Sequence, residues 1–217
     1  MVQYYYTEML KKNNNYKDTI ILGVILITFG ITLLSNNYLN SRRDKAFNTM
    51  NMLLLKDSEV VEEVNEEDAP SEIPEEVTEV KEEQNYEPFI GVLKIPKIGL
   101  ERGFYDKNST LNNVDYNILF HNTSSYPDEV NGNVILASHS GSSWISFFKN
   151  LYKLENGDLA YITYKGNNYT YKIVNIYYEA KDGSIAIYRN KSKSTLTLIT
   201  CTKNDETKQT VYILERQ

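Results

Sequence analysis

The sequence predicts a mainly β fold behind one N-terminal apolar helix, and three observations predict it. From Pro88 onward, runs rich in β-branched and aromatic residues recur: Ile90–Ile95, Gly132–His139, Leu159–Tyr164, Tyr169–Tyr178, Thr195–Cys201 and Thr210–Leu214. Turn chemistry separates them at Asn156-Gly157-Asp158, Lys165-Gly166-Asn167-Asn168 and Asp182-Gly183. Only Ser143–Leu151 has the texture of a short helical turn. Some 130 residues of short strands make a closed β-barrel or a sandwich. The second observation is an uncharged apolar run, Thr19–Leu34. The third is an acidic stretch, 57–87, between the two.

Residues 1–18 form a short N-terminus. The apolar run is slightly short of the roughly 20 residues a bilayer helix needs. Uncharged Ser35 to Leu39 complete it, so 19–39 is expected to be an uncleaved transmembrane signal anchor. A secretory signal peptide has a shorter apolar region and a small-residue cleavage site, and Asn36-Asn37-Tyr38 is a poor one. Lys11, Lys12 and Lys17 precede the run while Arg42, Arg43 and Lys45 follow it, so charge does not orient it. In 40–56, Ala46, Phe47, Met50, Leu53 and Leu54 fall at helical spacing, as in a packed or membrane-surface helix. A partner-binding helix is the other use of such a stripe. Residues 57–87 repel themselves and offer no core, which predicts a disordered spacer.

The charge is unevenly placed. Residues 57–87 hold 14 Asp/Glu against one Lys, a net of −13, leaving +7 on the rest of a chain whose total is −6. No basic cluster interleaved with aromatics occurs, which disfavours nucleic-acid binding. The 18 tyrosines mostly alternate along the strand-like runs, as half-buried sheet residues do. One cysteine excludes an intrachain disulfide and leaves a free thiol.

That thiol, Cys201, ends the strand Thr195-Leu196-Thr197-Leu198-Ile199-Thr200-Cys201, and Gly132–His139 is another strand that ends on a histidine. A cysteine and a histidine far apart in sequence, each at a strand end, form the pattern of a nucleophile and its acid/base partner. The plain alternatives are a small buried hydrophobe for Cys201 and a structural role for His139.

Several segments together resemble the sortases, the cysteine transpeptidases of Gram-positive cell surfaces. Gly91-Val92-Leu93-Lys94-Ile95-Pro96-Lys97-Ile98 is similar to their opening strand, and Gly132-Asn133 with Ala137-Ser138-His139 to their Gly-Asn…Gly-His segment. Phe147 to Leu151, Gly157-Asp158 and Tyr169 to Val174 match the stretch after the histidine. Thr195 to Cys201 is close to the Thr-Leu-x-Thr-Cys signature. The resemblance covers residues 90 to about 214 and implies a closed sortase-type β-barrel catalytic domain over 88–217, held outside the membrane by the anchor, with 1–18 cytoplasmic. It implies that Cys201 attacks a C-terminal sorting motif of a secreted protein and forms a thioacyl-enzyme. An amine of the cell-wall precursor or of a pilin subunit then releases the product. His139 takes the acid/base role. His121, Thr200 and Lys208 are expected near the substrate. Neither a metal nor another cofactor is expected. Some class A members are helped by calcium, but Glu101, Asp106, Glu179 and Asp182 are scattered acids of the solvated kind.

One departure from the family stands out. Sortases carry an arginine at the start of the last strand, and the spacing of Lys208-Gln209-Thr210-Val211-Tyr212-Ile213 puts Gln209 there. A carboxamide can donate a neutral hydrogen bond but lacks the charge and the fork of arginine. Ser138 also stands where glycine is commoner. The short link from Cys201 to the last strand is like that of class B, while the long helical insertion of that class is not evident between Lys181 and Thr195. Two readings follow: an active transpeptidase, and a degenerate surface module that binds sorting-motif peptides. L,D-transpeptidases are disfavoured, since their cysteine follows a Ser-x-Gly pattern and here it follows Ile199-Thr200.

Overall fold

The structure is a computed structural model of the chain and describes residues 2–61 and 87–217. Most of the acidic segment expected to be a spacer, 62–86, lies outside the described residues. The chain divides into two compact units, Met1–Ala46 and Phe47–Gln217.

One α-helix, α1, runs over Val2–Val61. No Gly or Pro occurs from Ile31 to Val61, so nothing in the backbone ends the helix at residue 39. The helix therefore runs on through 40–56, where the helical stripe extends from the apolar run. It also takes in Asp57–Val61, which composition had assigned to the spacer. In the first unit the apolar side chains from Ile20 to Leu39 are exposed. The helix is long and apolar enough to cross a membrane within Thr19–Leu53. Its hydroxyls stay satisfied there: Thr28 Oγ1 donates to the Ile25 carbonyl at 2.9 Å and Thr32 Oγ1 to the Thr28 carbonyl at 2.8 Å.

The second unit is built on one eight-stranded sheet that curls into a nearly closed barrel. The strands are β1 Gly91–Ile95, β2 Leu100–Phe104, β3 Leu119–Phe120, β4 Asn133–Ala137, β5 Leu159–Tyr164, β6 Asn167–Ala180, β7 Thr195–Thr202 and β8 Asp205–Arg216. Their order across the sheet is β2-β1-β5-β6-β8-β7-β4-β3. All neighbours are antiparallel except β4 and β7. The barrel of the sequence analysis is therefore the one observed, and the sandwich is not. All six expected strands form. β2 and β3, too short and irregular in pattern to stand out, were missed. Ser143–Leu151 is a string of turns rather than a helical turn, and the 3-10 helix comes just after, at Leu151–Lys153.

Alternation sorts the side chains. Leu93, Phe104, Phe120, Leu136, Phe148, Ile162, Tyr171, Leu196, Leu198 and Leu214 fill the barrel. Ile135, Ile199, Val211 and Ile213 form a smaller cluster on the outer face, with Ile185 and Ile187 of the β6–β7 connection packed on it. The β5–β6 turn places both Lys165 and Gly166 at positive φ (47° and 70°), the pattern of a tight hairpin whose twist matches its strands. Gly103 in β2 is required for another reason: a Cβ there would fall inside the Phe89 ring. Its N–H donates to Asn48 Oδ1 at 3.2 Å, so the last part of α1 is tied to β2 within this unit.

Candidate active site

Strand register builds the site. β4 and β7 run parallel, and their ladder ends with Ala137 beside Ile199; His139 follows two residues after the one and Cys201 two residues after the other, and both line the same cleft. Three bonds fasten this end. Ser138 N–H donates to the Ile199 carbonyl at 3.3 Å, Thr200 Oγ1 to the Ser138 carbonyl at 2.7 Å, and Ser140 Oγ to the Cys201 carbonyl at 2.7 Å. On the other side of β7, Cys201 pairs with Gln209 of β8, which pairs in turn with Glu179 of β6. Ile199 and Val211 lie on the outer face, and side chains alternate, so Cys201 and Gln209 project to that same face. The β7–β8 ladder then breaks. Thr202 pairs with Asp205, and Glu206, Thr207 and Lys208 bulge out between the two registers. Such a bulge bends the strand and opens space beside the last regular pair, which here is Cys201 with Gln209.

A cleft of about 780 Å³ opens over the thiol. Its walls include His139, Ser140, Lys149, Tyr152, Lys181, Cys201 and Lys203. Cys201 is half-buried. His139 Nε2 lies 3.4 Å from Asp115 Oδ1, with both side chains well exposed, so the pair orients the ring more than it stabilises the fold. Lys181 Nζ lies 3.7 Å from Cys201 Sγ. Lys203 Nζ sits 3.5 Å over the Tyr152 ring, and its hydrogen bond lowers the pKa of the Tyr152 hydroxyl.

The sequence candidates divide sharply. Cys201 and His139 line the cleft; Gln209, His121, Thr200 and Lys208 do not. Gln209 is opposite Cys201 but its Oε1 is buried without a hydrogen-bond partner. His121 turns its ring to Thr123, with Nδ1 2.8 Å from the hydroxyl. Thr200 is buried and acts as the fastener just described. Lys208 is paired with Asp205 at 3.0 Å. Sequence reasoning missed Lys181, Asp115 and Ser140, for which only the register gives a signal.

A sheet of this order whose cleft holds a cysteine and a histidine from the ends of parallel strands defines a class, and the comparisons agree with it. The family model for the sortase domain matches residues 93–215, and the chain belongs to the sortase family. Sortases are cysteine transpeptidases associated with the cell surface. Sortase D of Bacillus subtilis (strain 168) is 30% identical over 111 residues, 51% of this chain and 53% of that protein. The chain thus spans about half the length of the curated relative it matches. Among solved structures, sortase C1 of Streptococcus agalactiae is 28% identical with a TM-score of 0.51, covering 59% of this chain and 67% of that one. The sortase D5 transpeptidase of Clostridium perfringens is 25% identical with a TM-score of 0.51, covering 60% and 79%. A lid mutant of sortase A from Corynebacterium diphtheriae, 22% identical with a TM-score of 0.55 over 63% and 74%, shares the fold. These relatives carry A, C and D designations, so they do not assign a subclass.

Proposed function

We propose that this chain is a membrane-anchored sortase that cleaves a C-terminal sorting motif of secreted proteins and transfers the new carboxyl end to an amine. The observation that carries the proposal is that His139 and Cys201, each just past the last pair of the parallel β4–β7 ladder, line one cleft. Cys201 Sγ attacks the scissile carbonyl as thiolate. The C–N bond breaks, the imidazolium of His139 gives its proton to the leaving amine, and a thioacyl-enzyme remains. An acceptor amine on a peptidoglycan precursor or a pilin subunit then attacks, loses a proton to His139, and the C–S bond breaks. Water in place of the amine gives hydrolysis, the thiol-peptidase variant. The Gln209 carboxamide contributes a neutral donor at most. Residues 19–39 serve as the single-pass anchor, 1–18 face the cytoplasm, the acidic residues after α1 act as spacer, and 88–217 is the extracellular catalytic domain. The short Lys203-Asn204 turn between β7 and β8 favours a class B-like layout.

Intact-mass measurement of the full chain with a pool of sorting-motif peptides, with and without an amine, tests this. A thioacyl adduct on Cys201 that the amine discharges is expected. Cys201→Ala abolishes it and His139→Ala nearly does. Persistent cleavage by the Cys201→Ala protein refutes the mechanism. The glutamine across from the thiol favours a second reading, a module that binds such peptides without turning them over. Peptide binding without an adduct, with turnover restored by Gln209→Arg, would select it.

A further inference from the structure

A thiolate nucleophile is favoured by a positive charge beside it. The residue across from Cys201 in the sheet, Gln209, is neutral, buried at its Oε1, and absent from the cleft wall. A cation in contact with the sulfur comes from just past a different strand. β6 ends at Ala180, and the next residue, Lys181, donates its backbone N–H to the Thr207 carbonyl at 2.8 Å. That bond seats Lys181 against the bulged part of β8. From there its side chain enters the cleft wall and brings Nζ to 3.7 Å from Cys201 Sγ. Among the described residues, no carboxylate pairs with this ammonium. The charged groups lining the cleft with Cys201 are Lys149, Lys181, Lys203, Glu206 and, when protonated, His139, which faces Asp115; Lys203 Nζ lies over the Tyr152 ring, and Lys181 Nζ is the one in contact with the sulfur.

We propose that Lys181 is a catalytic residue that supplies the positive charge missing at position 209, holding Cys201 in its anionic form from the end of β6. The proposal deepens the reading of Cys201 as nucleophile. The bulge makes this geometry available: it displaces Glu206–Lys208 from β7, so the end of β6 can hydrogen-bond to Thr207 and its next side chain reach across to the thiol. Lys181 keeps its proton throughout. The proton lost by the thiol resides on His139.

The test is the rate of Cys201 alkylation by iodoacetamide as a function of pH, on the full chain in detergent. Cys201 is the sole cysteine, so the label reports one site, and the measurement needs no peptide substrate. Lys181→Met should slow alkylation at neutral pH by about fivefold to tenfold, the size expected of one solvent-accessible charge pair at this distance. Its rate-against-pH curve should move to higher pH. Lys181→Arg should keep the parent curve. Added salt should narrow the gap between parent and Lys181→Met. An unmoved curve in Lys181→Met overturns the proposal. So does an equal loss in Lys181→Arg, which would mean that shape and not charge is what matters. A shifted curve in a chain that forms no thioacyl adduct would uphold Lys181 and refute transpeptidation, so the two failures are distinct.

Discussion

Replacing Asn117 with alanine should loosen the seam where the barrel nearly closes. β2 and β3 are the two ends of the sheet order, and no ladder joins them. Asn117, two residues before β3 and 1% exposed, bridges the gap by side chain. Its Nδ2 donates to the Gly103 carbonyl at 2.8 Å, and its Oδ1 accepts from Arg102 Nε at 2.6 Å. Arg102 is itself buried, with its guanidinium 4.1 Å from the Phe147 ring centroid. A bond from a charged donor contributes about 1.5–3 kcal/mol and a neutral one about 1 kcal/mol. Because Arg102 keeps its stacking on Phe147, the loss belongs near the lower end, about 3 kcal/mol. An unfolding entropy of about 2.1 cal/mol/K per residue gives a barrel of roughly 130 residues about 0.27 kcal/mol/K, so Tm should fall by about 10 °C. Thermal unfolding followed by near-ultraviolet circular dichroism, on the full chain in detergent, measures it. Asn117→Asp, which keeps the acceptor for Arg102 and loses the donor to Gly103, should fall between. If Asn117→Ala melts within about 2 °C of the parent, the seam is not held by this side chain and the reasoning is refuted.

Two further predictions follow from bonds and burial. Thr200→Val keeps the volume of a buried residue and removes the bond to the Ser138 carbonyl, so guanidinium unfolding should show a loss of about 1–2 kcal/mol. Thioacylation should slow in the folded variant, since that bond ties the Cys201 strand to the His139 strand; unchanged stability would mean the bond adds nothing. Burial pushes the hydroxyls of Tyr171 and Tyr212 up from 10.0 to about 12. Each holds its proton more tightly folded than unfolded, so its contribution is whole below about pH 10 and is lost as pH rises toward 12. Tm should be flat up to about pH 9.5 and fall beyond, with tyrosinate absorbance rising in step. A Tm still flat at pH 12 would contradict the burial of these two rings.

The strands that were legible are those whose alternation spans five residues or more. β5 is observed with the bounds its pattern implies, and β4, β6, β7 and β8 differ from theirs only at the ends. β3 has two residues, too few for any period to register. It exists because Asn112 accepts from the Phe120 N–H at 2.7 Å and donates to the Phe120 carbonyl at 2.9 Å, doing a missing strand's bonding with one side chain. The hydrophobic cluster of Ser143–Leu151 suggested a helical turn. Tertiary packing won instead: the Phe148 N–H bonds back to the His139 carbonyl, and the Phe148 ring is drawn into the barrel.

Cys201 and His139 were visible as a strand-end pair because nucleophile chemistry needs those two residue types and the chain contains one cysteine. Sequence by itself also determined the apolar helix and the strand periods, since both are local: each side chain's face follows from its neighbours a few positions away. Which side chains share a cleft is not local. The cleft depends on a parallel pairing between residues about sixty positions apart and on a bulge in β8, and a one-residue slip in either would turn every strand side chain to the other face. That is why Thr200 and Lys208, adjacent in sequence to Cys201 and Gln209, lie off the cleft, while Lys181, twenty residues from Cys201, comes within 3.7 Å of its sulfur. The tertiary structure alone decided that the side chain at the end of β6 reaches this thiol.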